Sequence, residues 1–107
     1  MKNIDIDIIK EKAKCEKIRW TNHVLIRLLQ RQIKQSDVVY AILNGEIIEE
    51  YENDHPYPSC LIYGLTINEE VIHVVCGYNE EELWIITAYH PNTKEWNKDM
   101  KTRKESK

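Results

Sequence analysis

The hydrophobic pattern of this chain changes its period at Asn44-Gly45, and that change limits the folds open to it. Before this point, apolar residues recur three and four positions apart, which is the spacing of amphipathic helices. After it, Val, Ile, Leu and Tyr dominate runs of strand length that are separated by short polar turns. Helices followed by a run of strands predict an α+β domain rather than alternating strand–helix units.

The first half of the chain is predicted to form three helices, at about residues 4–16, 22–32 and 36–44. Thr21 and Ser36 are the expected N-caps of the second and third helices, because a hydroxyl there accepts a hydrogen bond from a free backbone N–H of the first turn. Gly45 ends the third helix, since glycine adopts the left-handed terminal conformation cheaply. The short segment 18–20 is predicted to be extended.

Four strands are predicted to follow, at residues 47–51, 59–67, 71–78 and 83–89, with the last three joined as antiparallel hairpins. His90-Pro91 interrupts the strand pattern, and Asn92 or Thr93 is expected to cap a final helix over about residues 94–103. The predicted fold is a single α+β domain over residues 1–107. Its helices pack on one face of a four-stranded antiparallel sheet, its other face is partly open, and a helix ends the chain.

Composition narrows the classes of function. A net charge of -3 argues against a surface built for non-specific nucleic-acid binding, and we expect no binding of DNA by the chain alone. No apolar run approaches the roughly 20 residues that span a bilayer, and residues 1–17 are too charged for a secretory signal, so a cytoplasmic protein without membrane contact is expected. The spacing of the Cys and His residues predicts no disulfide framework, metal or cofactor, and no glycine-rich phosphate loop is present.

The second helix carries His23, Arg27 and Arg31 four residues apart. This spacing aligns one imidazole and two guanidiniums along one side of the helix, over roughly 12 Å. Such a row can bind phosphate oxygens, with the histidine as an acid or base. The alternatives are an ordinary solvated face, or Arg27 paired with a carboxylate of the first predicted strand, such as Glu49 or Glu50.

Two residues of the strands are further candidates. His73 lies inside the third predicted strand, and Tyr89 ends the fourth, where a hydroxyl can reach a cleft. Each has a structural alternative: a core histidine hydrogen-bonded within the fold, and a strand-end aromatic packed on a helix.

Four segments resemble a small bacterial family of unknown function: Thr21–Val38, Asn44–Tyr51, His73–Val75 and Ile85–Pro91. The family pattern reads T-x-H-x-x-x-R-x-x-x-R-G-I-x-x-x-D/E-V, then N-G-E-I-I-E-x-Y, H-V-V and I-x-T-x-Y-x-P. Gln32 departs from it, since the family has glycine there. Members are similar to RelE/MqsR-type toxins of type II toxin–antitoxin systems and tend to be encoded beside a zinc-finger, YgiT-type antitoxin. The resemblance therefore implies a compact α+β toxin fold and mRNA cleavage.

The leading hypothesis is a toxin that acts as a metal-independent endoribonuclease on RNA. His23 or His73 and Tyr89 would exchange protons, while Arg27 and Arg31 neutralise the phosphate. The alternative is a non-catalytic binding module that holds a protein partner through the cationic helix edge or a sheet edge. A third reading, a structural domain without a site, requires His23 and Arg27 to be buried and internally paired.

Overall fold

The computed structural model describes residues 4–104 and contains three α-helices and five β-strands. Their bounds are α1 Ile6–Lys14, β1 Ile18–Arg19, α2 Asn22–Gln30, α3 Gln35–Asn44, β2 Glu46–Tyr51, β3 Ser59–Leu65, β4 Val71–Tyr78 and β5 Leu83–Tyr89. The strand order in the sheet is β1-β5-β4-β3-β2. Within the described residues, no helix has the length and apolar character needed to cross a membrane.

The predicted four-stranded antiparallel sheet is wrong, because the sheet has five strands and is mixed. β1 runs parallel to β5, with Ile18 opposite Leu83 and Arg19 opposite Trp84, while the other neighbours are antiparallel. The sequence did predict an extended segment at residues 18–20. It could not reveal a strand partner more than sixty positions away, because pairing at that distance leaves no local pattern.

The helices cover one face of the sheet and form the main core with it. The buried residues of this core come from all three helices and from β3, β4 and β5, among them Ile9, Leu28, Val38, Ile42, Ile62, Val74 and Ile85. Close approach of α3 to β3 depends on Gly64, where a Cβ atom would lie 2.2 Å from the carbonyl oxygen of Ala41. The opposite face of the sheet, called the second face below, carries the polar residues discussed next.

α2 begins as the sequence predicts, with the Thr21 hydroxyl accepting a hydrogen bond from the Val24 N–H. The N-cap predicted at Ser36 is wrong. α3 starts at Gln35 after Lys34, which makes no side-chain capping bond.

The end of α2 shows why glycine suits position 32, where this chain has glutamine. Gln32 has a φ of 58°, the left-handed region that glycine adopts without a Cβ penalty. The Ile33 N–H donates to the Leu28 carbonyl and the Gln32 N–H to the Leu29 carbonyl, which together form a Schellman motif. The backbone therefore keeps a conformation that favours glycine although the side chain is glutamine.

The predicted C-terminal helix over residues 94–103 is wrong. Asn92 begins a single turn, in which its side-chain oxygen accepts hydrogen bonds from the backbone N–H groups of Lys94 and Glu95. Asp99 then accepts hydrogen bonds from the Lys101 and Thr102 N–H groups, and Met100 has a φ of 58°, so the helix cannot continue. Residues 92–104 instead form a strap, called the C-terminal strap, that crosses the second face. The face predicted to be partly open is thus covered in part.

Two β-bulges decide which side chains point to the second face. The bulge in β2 lies between Ile47 and Glu49, and it places Glu49 opposite Leu61 of β3. The bulge between β4 and β5 leaves Ile86 without a partner and places Tyr89 opposite His73. Without these extra residues, strict alternation would turn Glu49 and Tyr89 toward the helices.

Candidate functional site

Glu49 is the centre of a polar cluster on the second face. Its Oε1 accepts a hydrogen bond from the Tyr51 hydroxyl at 2.6 Å. Arg103 of the C-terminal strap donates through Nε to Oε2 at 2.7 Å and through Nη2 to Oε1 at 3.2 Å. This two-point contact fixes the carboxylate geometrically, as forked guanidinium–carboxylate pairs do. The Glu49 side chain still keeps 24% of its surface exposed and that of Arg103 53%, so both are within reach of a ligand.

The charges of this pair set the protonation of its neighbours. Burial acts to raise the pKa of Glu49, but the hydrogen bonds from Arg103 and Tyr51 outweigh it and hold the pKa below its usual value. Burial and the bond to Glu49 raise the pKa of Tyr51 to about 12. At neutral pH the cluster therefore contains an ionised carboxylate, a protonated phenol and a guanidinium.

His73 lies in the same cluster but is sealed from solvent, with none of its surface exposed. Its Nε2 is 2.6 Å from the Met100 carbonyl, and because a carbonyl only accepts, Nε2 carries the proton. Trp96 of the strap packs its ring edge-on at 4.5 Å between centroids. Burial lowers the pKa of His73, opposed by the Met100 bond. This histidine ties the strap to the sheet, and no RNA can reach it in this arrangement.

Tyr89 adjoins His73, with ring centroids 5.4 Å apart, and it is half-buried. Burial raises its pKa, and its charged neighbours are Arg103, Glu49, Glu95 and Arg31. Arg31 reaches this end of β5 from α2, donating through Nη1 to the Thr87 hydroxyl and to the Ala88 carbonyl, each at 2.9 Å. The structure therefore brings together three of the residues predicted from sequence: Arg31, His73 and Tyr89.

The other two predicted residues lie elsewhere. His23 and Arg27 are exposed on α2, and neither side chain has a hydrogen-bond or ion-pair partner among residues 4–104. Arg27 is not paired with Glu49, which binds Arg103 instead. The reading of a structural domain, which required His23 and Arg27 to be buried and paired, does not describe this structure.

Glu49, Tyr51 and Arg103 were not predicted as site residues. A signal was present for the first two, since consecutive apolar residues at Ile47-Ile48 break the alternation where the bulge lies. The doublet Ile85-Ile86 marks the second bulge in the same way. Arg103 had no such signal, because its role depends on the path of the strap.

The cluster contains residue types suited to proton transfer and anion binding. We name it the Glu49 cluster, and it consists of Glu49, Tyr51, His73, Tyr89 and Arg103. Within residues 4–104, no three His, Cys, Asp or Glu side chains are grouped as a metal site would require.

Residues 20–90 match the model of a protein family, a domain of unknown function (DUF4258). The chain belongs to this family. The DUF4258 match includes four members of the Glu49 cluster and ends before the strap that supplies Arg103. Comparisons with curated proteins and with solved structures found no match.

Proposed function

We propose that this protein is a toxin-type endoribonuclease that cleaves RNA without a metal ion. The observation that carries the proposal is the Glu49 carboxylate, ionised and partly accessible, held between Tyr51 and Arg103 on the sheet face that also carries Tyr89. A base, an acid and cations are the groups that RNA cleavage through the 2'-hydroxyl needs. The resemblance to RelE/MqsR-type toxins supports the same class.

In the proposed reaction, Glu49 takes the proton of the 2'-hydroxyl while O2' bonds to phosphorus. The bond from phosphorus to O5' breaks, and Tyr89 gives its proton to the leaving O5'. The products are a 2',3'-cyclic phosphate and a 5'-hydroxyl end. Arg103 and Arg31 neutralise the charge that builds on the non-bridging oxygens, as cations do in phosphoryl chemistry.

Substrate binding would itself activate the base. A pKa below the usual value makes Glu49 a weak proton acceptor in the free protein. A phosphate that draws the Arg103 guanidinium away removes its two hydrogen bonds to Glu49, which help to lower this pKa, while the burial that raises it remains. The carboxylate then becomes more basic when RNA is bound.

The roles assigned from sequence change accordingly. His73 acts as a positioning residue, because its ring supports Tyr89 and holds the strap that carries Arg103. Arg31 keeps a role in phosphate binding at the end of β5, whereas His23 and Arg27 stand outside the Glu49 cluster.

Glu49→Gln and Tyr89→Phe test the proposal, with cleavage of a single-stranded RNA in EDTA as the measurement. We expect each variant to lose activity at least about 100-fold, the usual size of an acid–base contribution. Glu50→Gln, the next residue on the same strand and exposed, is the matched control and should stay within about twofold, since it makes no contribution to the site. Cleavage by wild type that needs a metal, or full activity in Glu49→Gln, would contradict the proposal.

We also propose that this protein acts in the cytoplasm and is neutralised by an antitoxin of the zinc-finger, YgiT type. RNA as substrate and the family resemblance support this. Expression of the chain alone should arrest growth and fragment mRNA, and co-expression of the neighbouring reading frame should restore growth. An unaffected culture with intact mRNA would count against the toxin role.

A further inference from the structure

The side of α2 that faces away from the sheet exposes an unusual set of residues. We call it the outward face of α2, and it consists of His23, Ile26, Arg27, Leu29 and Gln30. Leu29 is 80% exposed and Ile26 56%, the first of these the most exposed large apolar residue in the described chain. The two lie three positions apart, so they are neighbours on the helix surface rather than scattered singly.

The charge on this face is positive, because Arg27 is its one charged side chain. The surrounding residues 20–34 add Arg31, which turns to β5, and Lys34, and they contain no Asp or Glu. Elsewhere in residues 4–104, cations such as Arg19 and Arg103 meet glutamate carboxylates at 2.7 Å. The described residues supply no carboxylate for Arg27.

We infer that the outward face of α2 is a docking surface for an amphipathic helix of a protein partner. That helix would have an aliphatic stripe to cover Ile26 and Leu29 and a flank of Glu or Asp residues to pair with Arg27. The positive charge of Arg27 selects an acidic partner, and the exposed aliphatic pair selects a protein. RNA would satisfy Arg27 but would leave Leu29 in water, because bases stack on aromatic side chains or guanidinium planes rather than on aliphatic ones.

Docking of a partner helix at this face does not depend on nuclease activity. Arg27 and Leu29 lie outside the Glu49 cluster, so binding can be measured whether or not the protein cleaves RNA. A helix packed alongside α2 uses the interdigitation of side chains three and four residues apart that is common to helix pairs.

The test uses the full chain and a synthetic peptide of about 18 residues, long enough to form a helix. The peptide carries Leu at alternating three- and four-residue intervals with Glu on both flanks. A matched peptide has Lys in place of Glu, and a single-stranded RNA oligonucleotide is the third probe. Affinity is measured by fluorescence anisotropy for wild type, Leu29→Ser and Arg27→Glu. Ile67→Ser serves as the control, because Ile67 is also an exposed aliphatic residue at 59% but lies outside α2.

We expect Leu29→Ser and Arg27→Glu each to weaken binding of the acidic peptide at least tenfold, and Ile67→Ser to leave it unchanged. Arg27→Glu should in turn gain affinity for the Lys peptide, which a merely damaged fold would not do. The inference is overturned if wild type binds both peptides equally. It is also overturned if Leu29→Ser has no effect, or if RNA alone binds and is lost in Arg27→Glu.

Discussion

His73 links the sheet to the C-terminal strap through one hydrogen bond and one ring contact. Its protonated Nε2 donates to the Met100 carbonyl, while its buried Nδ1 has no partner among the described residues. A buried ring in this state resists a second proton, because the charged form would lose its hydration. The folded protein therefore holds the pKa of His73 below that of the unfolded chain.

This difference predicts a dependence of stability on pH. The contribution of neutral His73 is fully present above the unfolded pKa of about 6.5. It is lost as the pH falls below that value toward the folded pKa, because the unfolded chain binds the extra proton, at a slope of at most about 1.4 kcal/mol per pH unit. Chemical denaturation at several pH values between about 7.5 and 5.5 measures it, above the range in which Glu49 titrates.

His73→Gln should flatten this slope, and His23→Gln should not, because His23 is exposed. An unchanged slope in His73→Gln would assign the effect to another group.

The ends of the helices and the bulges in the strands determine where the side chains of the core and of the Glu49 cluster lie. The Schellman motif at Gln32 turns the chain so that Ile33 packs into the core beside Leu28. The bulges at Ile48 and Ile86 carry Glu49 and Tyr89 onto the second face. Deletion or insertion of one residue at either bulge would move Glu49 or Tyr89 to the other face of the sheet, because alternate side chains point to opposite faces.

Gln32→Gly tests the helix end. A left-handed backbone costs a residue with a Cβ about 1 kcal/mol, so we expect the glycine variant to raise the free energy of unfolding by about 0.5–1 kcal/mol. Gln30→Gly, two positions earlier and within α2, is the matched control and should lower it by about 1 kcal/mol. Urea denaturation measures both, and a loss of stability in Gln32→Gly would show that the glutamine side chain contributes more than the backbone strain costs.

The residues that the structure describes pack into two cores on opposite sides of one sheet. The larger lies under the helices, and the smaller lies under the C-terminal strap, where Leu61, His73 and Trp96 are buried. Lys101 and Arg103 pin the strap to Glu46 and Glu49 on β2. The strap therefore both closes the fold and supplies a cation to the site.

A chain truncated after Pro91 lacks the strap, and it therefore tests both roles of the strap at once. In this truncated chain, the loss of buried Trp96 is by itself enough to lower the free energy of unfolding by about 3 kcal/mol or more, as deletion of a buried Trp does. Nuclease activity should be lost as well, because Arg103 is removed.

The full-length variant Arg103→Gln is the control for that truncation. It should lose activity while stability falls by no more than about 1 kcal/mol, since the pair is half-exposed. Activity retained in both variants would remove Arg103 from the mechanism.

Local spacing was enough to predict α2 and α3, the Thr21 cap and the positions of β2 to β5, because these depend on residues a few positions apart. Arg31, His73 and Tyr89 were candidates for the same reason: their types and places in the pattern are visible in the chain. The pairing of β1 with β5, the path of the strap and the bond between Glu49 and Arg103 were decided by the tertiary structure. The β1–β5 pairing and the Glu49–Arg103 bond join residues 54 or more positions apart. Their geometry depends on bulges and turns that set which face a side chain occupies. Local patterns in the chain set the helices, the strands and the chemical groups available, whereas the folded sheet set which of those groups meet.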